Sequence, residues 1–400
     1  MHNPILASPE LVTIENLQEL SVRASGVMSE LRKRMLLPSA SKTTPRISTD
    51  IIASACGMKS EQLLYRIRTN PDVPQGTLVA NGRRREYTVK EAQDWAKLER
   101  TDFLRPAGHR AVTVGVAFFK GGVTKTTTTM SLAQGLSLLG HKVLCIDMDP
   151  QGSLTTLFGL LPDSEITEVD TLGPLFSGET EDVRYAIRET YWPNVDLIPA
   201  SSSLFAAEFH LPSQQIRNSE FQFWNVLNQG LESIRDYYDI ILIDTPPSLS
   251  YMTINAFFAA DGMIVPMTAS MLDMASSAQF WNLFSEFAYS ISSKLEVPKT
   301  YNFINILMSK ININDVTTRP IREWIATVYG GKLMPIEIPL TAVTTSAASE
   351  FSTVFDITNY DGDARTYKRA REAYELLALA VEESIRMVWN HRQQQQGDGL

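Results

Sequence analysis

Between residues 110 and 310 the chain repeats one pattern: a near-continuous apolar run of five to eight residues, then a stretch with helical spacing. The runs are AVTVGVAF, KVLCIDMD, VDLIPAS, YDIILID, GMIVPM and NFINILM. Strands that do not alternate polar and apolar residues are buried on both faces, and a parallel sheet between two layers of helices offers that environment. The pattern predicts a doubly wound, mostly parallel α/β domain with its ligand at the C-terminal ends of the strands.

Three of those strand ends carry chemistry. AVTVGVAF runs into FKGGVTKTT and then a helix from Lys125 to Leu139 ended by Gly140, the strand, loop and helix order of a phosphate-binding loop. The expected nucleotide cradle is Lys120, Gly121, Gly122, Val123, Thr124, Lys125, Thr126 and Thr127. Gly121 and Gly122 let successive backbone N–H groups face an anion, and the helix adds its positive end. Lys125 can reach the β- and γ-phosphates, and Thr126 can ligate Mg²⁺. The second strand ends in DMDPQGS, which delivers Asp147 and Asp149 to the same sheet edge, and YDIILIDTPPS ends in Asp244. An acid at the end of a buried strand beside a phosphate loop is where a Mg²⁺ hydration shell needs a carboxylate.

The loop is irregular in three ways. Phe119 and Thr124 stand where such loops usually have glycine, and Lys120 is one lysine more than the loop needs. A β-branched residue is costly at positive φ, so the loop either keeps φ negative at Thr124 or tolerates strain.

The N-terminal part differs in charge. Residues 1–110 hold 17 Lys and Arg against 12 Asp and Glu, whereas the other 290 residues hold 19 against 33, within a net charge of −9. A small basic module before a large acidic one suggests that the first meets a polyanion. Residues 1–40 contain a helical pattern on Leu17, Leu20, Val22, Val27, Met28, Leu31 and Met35, read as a possible dimerisation arm and closed by the linker LLPSASKTTPR. From 45 to 105, Ile51, Ile52 and Ala55 predict a short helix, Gly57 a turn and KSEQLLYRIR a second helix, followed by the hairpin tip NGRRREYT. This resembles a winged helix-turn-helix of the MerR-like form. The resemblance places Lys59, Ser60, Gln62, Tyr65, Arg66 and Arg68 along a major-groove helix, and Arg83, Arg84 and Arg85 against phosphate or the minor groove. FLRPAGHR reads as a second linker, leading to a domain over 110–392 and a disordered tail at 393–400.

KGGVTKTT together with DMDPQ and IDTPPS resembles the deviant Walker A ATPases, and among them the ParA-type DNA partition ATPases, over roughly residues 111–380. The N-terminal extension resembles that of the large plasmid-partition subgroup. The resemblance implies a P-loop NTPase using ATP/ADP and Mg²⁺. Lys120 would be the signature lysine, reaching across a nucleotide-sandwich homodimer. Lys125 and Thr126 would keep ordinary P-loop roles, Asp149 would position the attacking water, and Asp147 and Asp244 would hold the Mg²⁺ shell. It further implies slow ATP hydrolysis stimulated by DNA and a ParB-type centromere-binding partner, and ATP-gated non-specific DNA binding on the nucleoid. Operator binding with ADP would repress the protein's own operon. For the non-specific surface, RTYKRAR offers Arg365, Lys368 and Arg369.

Other classes fit less well. Two cysteines make neither a disulfide framework nor a four-cysteine metal site, and no apolar run is long enough to span a membrane. The opening residues lack an export signal, so a cytoplasmic location is expected. A MinD-like membrane helix is opposed by Glu382 and Glu383 near the C-terminus. A small-molecule ligase would leave the basic module unexplained. The alternative from another class is a nucleotide-sensing winged-helix repressor without a partition role.

Overall fold

The computed structural model describes residues 12–36, 42–79, 82, 84–292, 298–344, 351–357, 360 and 362–398. Residues 1–43 form one compact unit and 44–400 another. The first unit contains helix α1 (Ile14–Leu36). Thr13 and Asn16 cap it reciprocally, Thr13 N donating to Asn16 Oδ1 at 3.0 Å and Asn16 N to Thr13 Oγ1 at 3.3 Å. Leu17, Leu20, Val22, Val27, Met28 and Leu31 of its stripe stay exposed, Leu17 at 56% and Val27 at 59%.

The second unit opens with β1 (Ile47–Ser48), α2 (Thr49–Ala55), α3 (Ser60–Thr69), β2 (Thr77–Val79), β3 (Arg84–Tyr87) and α4 (Val89–Glu99). Gly57, at φ 65°, makes the turn between α2 and α3. The three strands form an antiparallel sheet in the order β1-β3-β2. Leu63 and Ile67, one helical turn apart, bury one face of α3 in a core with Ile52 and Trp95. Thr88 and Glu91 start α4 as a capping box, with N–H to oxygen distances of 3.1 and 2.8 Å.

Eight further strands follow: β4 (Val112–Val116), β5 (Val143–Asp147), β6 (Arg188–Glu189), β7 (Val195–Ile198), β8 (Ile240–Asp244), β9 (Gly262–Thr268), β10 (Phe303–Ile311) and β11 (Leu333–Pro339). They lie in the order β11-β10-β9-β4-β8-β5-β7-β6. Only β6 among the described strands of this sheet runs antiparallel to its neighbour. Every residue of β4, β5 and β8 is buried, which explains their unbroken apolar text. The three are adjacent, with β8 in the middle, so the loops after them share one patch of the sheet edge.

Helix α5 (Lys125–Leu138) follows β4 and is buried along nearly all its length, between the sheet and the final helix Ala364–Asp398. The helices approach closely at Gly135, where a Cβ would meet Ala378 Cβ at 2.8 Å. The final helix continues through QQQQGD to Asp398, in place of the expected disordered tail. Glutamine is a good helix former, and the helix extends from a stretch, Ala370 to Trp389, with one face buried.

The α2–α4 unit is fastened to the larger sheet by polar contacts rather than joined by a free linker. Gln93 Nε2 donates to Pro193 O at 2.6 Å and Gln93 Oε1 accepts from Asn194 at 2.7 Å. Arg100 donates to Ala55 O at 2.9 Å and pairs with Glu382 of the final helix, whose other oxygen lies 2.7 Å from His141 Nε2. All three side chains of that ionic cluster are at most 7% exposed.

Candidate nucleotide site

The loop between β4 and α5 opens onto a cleft of about 680 Å³ at the C-terminal edge of the sheet. Gly121 and Gly122 are exposed, and a Cβ on either would meet nothing within 4 Å, so the backbone here faces space. Gly122 has φ 76°. Thr124 has φ 75° and ψ 18°, so the loop takes the strained option, at a cost of roughly 1–2 kcal/mol for a residue with a side chain. The first bond of α5, Thr128 N to Thr124 O at 2.8 Å, and a 3.3 Å contact between the two threonine hydroxyls hold this conformation.

The bulky neighbour has a different explanation. Phe119 packs edge-on against Phe280, with ring centroids 4.7 Å apart, and stacks on Phe257 at 6.3 Å. Val123 is also buried, and its carbonyl accepts from Ser309 Oγ at 3.0 Å. Side chains that could have crowded the anion instead anchor the loop in the core, and Val123 can offer an anion only its backbone.

Lys125 is 7% exposed and donates across the bowl of the loop to Lys120 O at 2.9 Å. Burial lowers its pKa, against the opposing pull of Asp244 and Asp149. Thr126 Oγ1 donates to Asp244 Oδ2 at 2.7 Å, and Thr129 Oγ1 to Asp244 Oδ1 at 3.3 Å. The loop and the β8 strand end are therefore joined by direct hydrogen bonds.

Asp147 and Asp244 are register partners on adjacent strands, and both are fully buried. Burial above all pushes Asp147 up to about 7 and Asp244 up to about 8, and the negative charge of Asp147 adds to the effect on Asp244. Their tasks differ. Asp147 accepts from Asp149 N at 3.1 Å and from Thr155 N and Oγ1 at 2.8 Å each, so it braces the 149–155 turn, whereas Asp244 lies beside Thr126. Asp149 and Thr127 line the cleft.

Among the described residues no group of three or more His, Cys, Asp or Glu side chains could hold a metal by itself. Thr126 and Asp244 fit a Mg²⁺ that keeps most of its shell in water and phosphate oxygens, which is that ion's habit.

Lys120 does not line the cleft. Its ammonium pairs with Asp273, in the first turn of the helix Met271–Ser292. Asp273 was missed in the sequence, although it follows the β9 strand end much as Asp149 follows β5. The far wall of the cleft, formed by Lys310, Ile338, Pro339, Leu340 and Tyr374, was also missed. These residues come from β10, β11, the position just after it and the final helix, and no local motif marks them.

The AAA domain family matches residues 111–297, which hold the loop and all three aspartates. The chain is 31% identical to protein SopA of Escherichia coli K12 over 303 residues, 74% of this chain and 77% of SopA. The chain belongs to the ParA-type partition ATPases. A solved structure described as a partition protein matches with TM-score 0.63 and 17% identity over 94% of this chain and 98% of that one, a likeness of fold. The cobyrinic acid a,c-diamide synthase of Mycobacterium smegmatis, solved with bound ADP and magnesium, matches with TM-score 0.52 and 25% identity, over 68% of this chain and 94% of that one.

In this partition ATPase the candidate DNA-contacting residues are distributed unevenly. Lys59, Tyr65, Arg66 and Arg68 are exposed on or next to α3, with Arg66 paired to Glu99. Gln62 and Ser60 are already engaged. Gln62 Oε1 accepts from Lys59 N at 2.8 Å, and Ser60 bonds to Asp50, so both help to start and orient the helix. Arg84 is exposed and paired with Glu86, Arg85 is half-buried and donates to Gln75 O, and Arg83 lies outside the described residues. Arg365, Lys368 and Arg369 are exposed, whereas neighbouring Arg371 is buried against Tyr367 and Glu375. No helix among the described residues is long and apolar enough to cross a membrane.

Proposed function

We propose that this chain binds ATP or ADP with Mg²⁺ in the 120–127 loop and, as an ATP-bound homodimer, holds non-specific DNA to position replicon copies through a ParB-type centromere-binding protein. The observation that carries this reading is the Thr126–Asp244 hydrogen bond beside an open glycine bowl, with Asp149 lining the same cleft. When bound, the nucleotide and its metal supply a phosphoryl group with concentrated charge. The chain's own contributions are backbone N–H groups and Lys125 to hold the phosphates, Thr126 with Asp244 to hold the metal shell, and Asp149 to orient water. Asp147 acts through the turn that carries Asp149. Lys120 reaches a partner's nucleotide only after leaving Asp273.

The basic α2–α4 unit supports a second DNA activity, operator recognition with ADP, through the exposed Lys59, Tyr65, Arg66 and Arg68 and through Arg84. Hydrolysis would then exchange one DNA activity for the other. The test is binding to an unrelated duplex at fixed salt with ATP, with ADP and without nucleotide, beside the Lys120→Ala protein. Binding that needs ATP and is lost in the variant is expected. Binding indifferent to nucleotide would favour the repressor without a partition role.

A further inference from the structure

At the opposite edge of the sheet, where strands enter, the chain forms a second recess of about 510 Å³. It lies where the residues just before β4, β9 and β10 meet the final helix, and no residue of the phosphate loop lines it. Arg110, Arg235, Lys299 and Arg392 face it, against two lining carboxylates, Glu232 and Asp261, with Asp236 3.8 Å from Arg110 at the rim.

The carboxylates are already committed. Asp261 accepts from Thr113 N at 2.8 Å and from Arg392 at 2.6 Å, while Glu232 accepts from Arg110 at 2.6 Å. Arg235 is 7% exposed, and its hydrogen bonds go to neutral atoms, Thr113 Oγ1 at 3.1 Å and Asn228 Oδ1 at 2.8 Å. Its nearest carboxylate oxygens are 3.4 Å away on Glu232 and 3.8 Å away on Asp261, and its Nε makes no hydrogen bond among the described residues. The Lys299 ammonium, with three protons to donate, gives one to Ala260 O at 2.7 Å and lies 5.2 Å from the Tyr301 ring. Burial lowers it to about 8 despite Asp261, with Arg235 and Arg392 adding to the effect.

Partly buried positive charge in excess of its partners is costly unless an anion meets it, and guanidinium forks match the geometry of an oxyanion. We propose that the recess is a binding site for a compact dianion, the phosphate group of a phosphomonoester or free phosphate, held by Arg235, Lys299 and Arg392. Enclosure of Arg235 puts it out of reach of a duplex backbone and favours a small ligand.

The experiment titrates inorganic phosphate and, separately, glucose 6-phosphate into the full chain by calorimetry, in a Lys125→Ala background that disables the phosphate loop. Saturable binding is expected, weakened at least about tenfold by Lys299→Met, each lost charge-assisted hydrogen bond being worth that much. Binding of the sugar phosphate alone assigns the ester, and binding of both assigns the shared phosphate group. Arg392→Gln serves as a second variant should Lys299→Met fail to fold. Absence of saturable binding, or equal binding in a folded Lys299→Met or Arg392→Gln protein, would overturn the proposal.

Discussion

The ammonium of Lys120 rests on the carboxylate of Asp273, a residue 153 positions later whose side chain is 1% exposed. Asp273 also accepts from Thr268 N at 2.8 Å and Thr268 Oγ1 at 2.7 Å. Burial alone would raise this carboxyl, yet Lys120 and Thr268 together hold it below the usual range. The extra lysine of the loop thus has a partner within its own chain, a pair that Lys120 would have to leave to reach a second protomer in the proposed dimer.

Asp273→Asn should weaken that pair while keeping hydrogen bonds to Thr268. With Lys120 about one-third exposed, each pair is worth roughly 1 kcal/mol after screening, and a symmetric dimer releases two of them, so nucleotide-dependent dimerisation should tighten by up to about thirtyfold. Sedimentation with a non-hydrolysable ATP analogue measures this. Weaker dimerisation would mean that Asp273 instead orients Lys120 for its partner.

Thr124→Gly should relieve the left-handed conformation at φ 75°. The gain is partly offset by the greater freedom of glycine in the unfolded chain, which leaves a net stabilisation of about 0.5–1 kcal/mol. Thermal melts without nucleotide would detect it. A lower melting temperature would mean that the Thr128 contact outweighs the strain.

Without metal and nucleotide, stability should fall as pH rises. Asp147 at about 7 and Asp244 at about 8 keep protons in the folded chain that the unfolded chain has already released above its carboxyl value of 3.8. The folded state therefore binds more protons between about pH 4 and 8, and the linkage slope is negative there. Asp244→Asn should flatten the upper part of the window, and Mg²⁺ with ATP should oppose the decline by favouring the ionised forms. Melting temperatures from pH 5 to 8.5 that stay level or rise would contradict this.

Glu382→Ala should strand Arg100 and His141 in a buried site, at a cost of roughly 3–5 kcal/mol. Because Arg100 ends the α2–α4 unit, proteolysis near residues 100–110 should accelerate along with the loss of stability. Unchanged proteolysis would show that Gln93, Asn194 and the core contacts fasten the unit without the ionic cluster.

The sequence by itself determined what local text can encode. Unbroken apolar strands specified a sheet covered on both faces. The glycine pair, Lys125 and Thr126 marked the loop, and acids at two later strand ends marked the edge to which they would be delivered. Such signals are legible because a strand end and the turn after it are neighbours in the chain. Only the tertiary structure decided how those ends share work. The placing of β8 between β4 and β5 gave Asp244 to Thr126 and left Asp147 to brace a turn. It also set Lys120 on Asp273, Arg100 on Glu382, and Lys299 among arginines from three separate segments. The Thr126–Asp244, Lys120–Asp273 and Arg100–Glu382 pairs join residues more than a hundred positions apart, and burial fixes their energies. Side-chain identity along the chain specifies neither the distance nor the burial.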